Sequence, residues 1–67
     1  MSDTVFYQGC ILCSRPFTST HGGWQPFGYL VLPSGLVVGL LARSTVRNHY
    51  RAAQLALHAM IRWVDAA

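Results

Sequence analysis

Cys10 and Cys13, in Gly9-Cys10-Ile11-Leu12-Cys13, have the CxxC spacing that serves either a structural zinc or a thiol–disulfide pair. A structural zinc takes four ligands, commonly a CxxC matched by a second Cys or His pair. The remaining candidates, His21, His49 and His58, fall at spacings that match no finger. Alternation along a strand sends Cys10 and Cys13 to opposite faces. A redox pair wants its first sulfur at a helix N-terminus, whereas Ile11-Leu12 stands inside an apolar run. Both cysteines therefore read as small buried hydrophobes, and no metal and no cofactor is expected. The only carboxylates, Asp3 and Asp65, stand at opposite ends of the chain, and no GxSxG, paired-acid or nucleotide-loop pattern occurs. No catalytic residue is assigned, and the expectation is a protein that is not an enzyme. A sheet with one helix at this length rarely encloses the ~300 Å³ that small-molecule sites need.

The cations have more shape. All are arginine, Arg15, Arg43, Arg47, Arg51 and Arg62, and they leave a net charge of +3. Arg47, Arg51 and Arg62 with His58 fall on the polar sector of a C-terminal helix, and Arg43 joins them from the preceding strand. Together they form a shallow ridge suited to phosphate backbones or an acidic protein. The plainer reading is a helix that packs one side and solvates the other.

The elements that must position these residues follow from hydrophobic period and turn chemistry. A strand is expected over 5–14, a loop at Thr18 to Gly23, a second strand over 24–32 and a third over 36–43. Pro33-Ser34-Gly35 joins the last two, with proline presetting φ and glycine accepting the left-handed conformation. Over 48–66 the period becomes helical: Arg51, Gln54, His58, Arg62 and Asp65 share one narrow sector, and Asn48 is the best N-cap. The expected fold is one α+β domain over 1–67, a three-stranded antiparallel meander carrying one C-terminal helix on one face.

That fold leaves a difficulty. Hydrophobic residues make up 52% of the chain and charged residues 10%, against about 25% charged in an ordinary domain. Leu30, Leu32, Val38 and Leu40 share one sheet face; Phe27, Tyr29, Val31, Val37 and Leu41 share the other. One helix covers only one of them. Those last five residues form the candidate interface, and the expected function is interaction: a homodimer through the uncovered face. The alternatives are a weak nucleic-acid-binding accessory protein using the arginines, and an inhibitor, phage-like or host-encoded, docking on one larger protein. The longest apolar run, 36–42, is far short of the roughly 18 residues of a membrane span, so no membrane partner is expected. The start MSDTVFYQG lacks the basic and apolar regions of a secretory signal, which points to the cytoplasm, where thiols stay reduced.

Taken together, FYQG, GGW and the tail AAQLALHAMIRWVDA resemble a class of short proteobacterial proteins of unknown function. The resemblance implies a bacterial ββ(β)α fold and supplies no activity. The layout is also similar in outline to the N-terminal lobe of HicB-type antitoxins, from which it departs in lacking that lobe's acidic character.

Overall fold

Between Tyr7 and Cys10 the chain reverses on two residues. Gln8 (φ 49°) and Gly9 (φ 77°) both adopt positive φ, the conformation of a tight turn whose twist matches paired strands. The computed structural model describes residues 4–66, and in it the strand expected over 5–14 is a hairpin. Strand β1 (Thr4–Tyr7) pairs antiparallel with β2 (Cys10–Ser14), Tyr7 opposite Cys10 and Thr4 opposite Cys13. Glutamine seldom takes positive φ, so Gln8-Gly9 does not announce a turn as Asn-Gly would.

A second break falls at Pro26. The strand expected over 24–32 is two pieces: β4 (Trp24–Gln25), which pairs with β3 (Phe17–Thr18) in a separate two-stranded sheet, and β5 (Phe27–Val31). Proline has no N–H to give a ladder, which is why a central strand does not run through it. β5 pairs with β2 on one side and with β6 (Val37–Leu41) on the other. The Pro33-Ser34-Gly35 turn joins β5 to β6 as expected, closed by Gly35 N–H on Leu32 O at 2.8 Å, with Gly35 at φ 93°. The main sheet is thus four antiparallel strands in the order β1-β2-β5-β6, not a three-stranded meander.

Helix α1 (His49–Ala66) begins where the sequence places its cap. Asn48 Oδ1 accepts from the amides of Tyr50 at 2.8 Å and Arg51 at 3.4 Å, satisfying donors the helix itself leaves free. Just upstream, Val46 and Trp24 exchange backbone hydrogen bonds, and the Trp24 ring meets His49 edge-on at 4.6 Å. The helix buries Ala52, Ala56 and Met60, one turn apart, and Met60 packs with Cys10, Leu12 and Leu30. Leu12, Leu30 and Met60 are wholly inaccessible, and each such side chain contributes about 1.5–3 kcal/mol.

Gly28 sets the distance between layers. A Cβ there would stand 2.7 Å from Cys13 O and 2.8 Å from Met60 Cε, so the methionine rests on bare backbone. At one end of the seam Ser14 Oγ donates to Ala53 O at 2.9 Å; at the other the Tyr7 hydroxyl donates to Asp65 at 2.6 Å. The chain is a slab of 36 × 25 × 16 Å, its short axis no more than one sheet and one helix deep. No helix among the described residues is long and apolar enough to cross a membrane.

Candidate interaction surface

The registers assign every strand residue to a face. Val5, Leu12, Leu30 and Val38 stand in one row across the sheet and point at the helix. The neighbouring row, Phe6, Ile11, Val31 and Val37, points away from it. A further row, Thr4, Cys13, Tyr29 and Gly39, lies on this second face, as does the pair Phe27 and Leu41. The five residues expected at an interface, Phe27, Tyr29, Val31, Val37 and Leu41, therefore share the face opposite the helix. Phe27, Tyr29 and Val31 are partly buried by their neighbours, whereas Val37 (59%), Leu41 (61%) and Phe6 (78%) are largely exposed. No strand residue on this face carries a charge.

Sequence reasoning missed Phe6, Ile11 and Phe17. The first two join the surface only because β1 and β2 form a hairpin. Phe17, from β3, meets Phe27 edge-on with ring centroids 6.0 Å apart and extends the apolar surface past the end of β5. The available signal for the hairpin was the glycine of FYQGC standing between the apolar runs TVFY and CILC.

The chemistry-bearing residues are scattered. Cys10 belongs to the core under the helix, and Cys13 stands beside Tyr29 with its sulfur 3.7 Å from Thr4 Oγ1; both thiols are free and buried. His21 sits in the exposed loop after β3, His49 packs on Trp24, and His58 faces outward from the helix. No group of three or more His, Cys, Asp or Glu able to hold a metal occurs among the described residues. Asp3 lies outside them. Asp65 takes the Tyr7 hydroxyl, and that hydrogen bond, reinforced by the carboxylate charge, holds the phenol above its ordinary pKa.

The four arginines of the expected ridge, Arg43, Arg47, Arg51 and Arg62, are all exposed. Arg51 and Arg62 do occupy the exposed sector of α1 with Gln54 and His58, yet they are eleven residues, roughly 16 Å, apart along its axis. Arg47 precedes the Asn48 cap and so lies outside the helix, and Arg43 lies beyond the end of β6; both are exposed.

Comparison of the chain with protein-family models, curated proteins and solved structures finds no match. The functional reading rests on the surface.

Proposed function

We propose that this chain is a non-enzymatic interaction protein that works as a homodimer, two copies packing sheet against sheet through the faces turned away from their helices. A single observation carries the reading. The face made by Phe6, Ile11, Phe27, Tyr29, Val31, Val37 and Leu41 is apolar and uncharged, and among the described residues no helix packs on it. Contiguous apolar patches of more than a few hundred Å² are rare on monomers. A second copy is the occupant that the charge pattern favours, because a face without charges stacks on itself without opposing like charges. Twofold pairing is also the commonest closed solution. Association adds the burial that a chain of this length lacks, since a domain of about 60 residues buries only about 60% of its unfolded surface. In this reading the protein works in the reducing cytoplasm, with Cys10 and Cys13 as thiols.

Sedimentation or light scattering at micromolar concentration tests it. Unmodified protein is expected at a mass of at least twice the 7.4 kDa chain, and Val31→Lys is expected to lose this association or to aggregate. A compact single chain at every concentration, or a folded Val31→Lys protein of unchanged mass, overturns the reading. In the first case the face is left for a foreign protein.

A further inference from the structure

Strand β6 is an edge of the sheet, and its pairing with β5 determines which of its backbone groups are already used. Leu32 donates to Leu36 O at 2.9 Å and Ala42 to Pro26 O at 3.1 Å, one at each end of the β5–β6 ladder. Bonded pairs alternate along an antiparallel ladder, so Val38 and Leu40 spend their amides and carbonyls on β5. The amides and carbonyls of Val37, Gly39 and Leu41 point the other way, off the sheet.

Natural edges are blunted by lysine, proline, bulges or inward charges. β6 has none of these: it reads Val37-Val38-Gly39-Leu40-Leu41 and pairs residue for residue with β5. The opposite edge, β1, is shorter. We propose that the β6 edges of two copies pair antiparallel about a twofold axis at Gly39, fusing two four-stranded sheets into one continuous sheet. This inference rests on the reading that copies of the chain associate, but it uses a different surface and a different axis.

The strand is self-complementary in that register. Val37 falls opposite Leu41 of the second copy, Gly39 opposite its own equivalent, and Val38 opposite Leu40. Every outward amide and carbonyl then meets an outward partner, each facing pair exchanging two bonds. A slip of one residue opposes outward groups with spent ones and reverses the faces. The register also keeps charge apart. Arg43 is the first charged residue beyond the strand and stands four positions from the axis, so the two copies of it lie roughly 26 Å apart, well past the ~8 Å screening length at physiological salt. On the helix side, an open groove lined by Leu40, Ala56, Ala59, Arg62 and Trp63 runs beside the same strand, its one charge on the helix rather than on the strand. The most exposed open-face residues of the strand, Val37 and Leu41, are the ones this register brings together.

The edge twofold is perpendicular to the sheet and the face twofold lies parallel to it, so both operate together in a four-chain assembly. Gly39→Pro separates them. Proline removes only an outward N–H, and a Cβ at Gly39 has space, standing 3.8 Å from Phe27, an ordinary contact. With both interfaces present, unmodified protein has the mass of four chains and folded Gly39→Pro that of two. With the edge alone, the masses are two chains and one, which sinks the face reading and keeps the edge. With the face alone, both proteins are dimers and the edge proposal is overturned. Should the variant not fold, amide exchange on the unmodified protein decides. Val37, Gly39 and Leu41 are expected to exchange more than about a hundredfold slower than free peptide. Exchange at the free-peptide rate overturns the pairing.

Discussion

The two faces of the main sheet are built from the same residue types and have opposite fates. Under the helix, Leu12 and Leu30 are wholly inaccessible; on the other side, Val37 is 59% and Phe6 78% exposed. Hydrophobicity therefore does not decide which face is the core. Shape does. The covered face makes room for a helix: Gly28 leaves bare backbone beneath Met60, and Ser14 supplies a small hydroxyl that reaches Ala53 O. The open face has a glycine too, Gly39, but what lies nearest it is the Phe27 ring of the same face rather than a helix.

A matched pair of truncations tests that contrast most severely. Leu30→Ala, on the covered face, is expected to cost about 2–5 kcal/mol, the range for emptying a leucine site in a packed core. Val31→Ala, one position along and on the other face, is expected to cost under about 1.5 kcal/mol and to make the melting temperature less dependent on protein concentration. Thermal denaturation at several concentrations measures both. Equal, concentration-independent losses would mean that the open face is already core within one chain.

Asn48→Ala probes the seam rather than either face. Removing the acceptor for the Tyr50 and Arg51 amides is expected to cost about 1 kcal/mol, read by urea denaturation as a lower midpoint at unchanged slope. Asn48→Asp, which keeps an acceptor, is expected to restore most of the loss.

The smallest effect belongs to Tyr7. Its phenol donates to Asp65, which raises its pKa in the folded state. A group whose folded pKa is raised stabilises fully below its unfolded pKa, near 10, and the contribution is lost as pH climbs through the folded value. The stability difference between unmodified protein and Tyr7→Phe is therefore expected to be small, flat through neutral pH, and to vanish above pH ~10. A difference that stays flat as the pH passes through and above ~10 would show that the bond is not formed in solution.

Much of this arrangement was legible in the residues. The helical period over 48–66, the Asn48 cap and the Pro33-Ser34-Gly35 turn all follow from local chemistry, and local chemistry is what made them. Alternation alone put Phe27, Tyr29, Val31, Val37 and Leu41 on one face, although only packing shows that this face is the open one. The β1–β2 hairpin is signalled only by Gly9, because Gln8 is an unusual residue for positive φ, and without the hairpin Phe6 and Ile11 stay hidden. Pro26 was a usable signal for the strand break, outweighed in the reading by the apolar run around it.

Met60 sits wholly inaccessible with its methyl carbon and sulfur pressed on the Gly28 backbone. An oxygen added to that sulfur has nowhere to go while α1 is docked, and the sulfoxide would be a polar group in the tightest part of the seam. Reaction with peroxide at this atom therefore waits for the helix to lift, which makes the sulfur a chemical clock for the opening of the fold and the oxidised side chain a wedge that keeps it open.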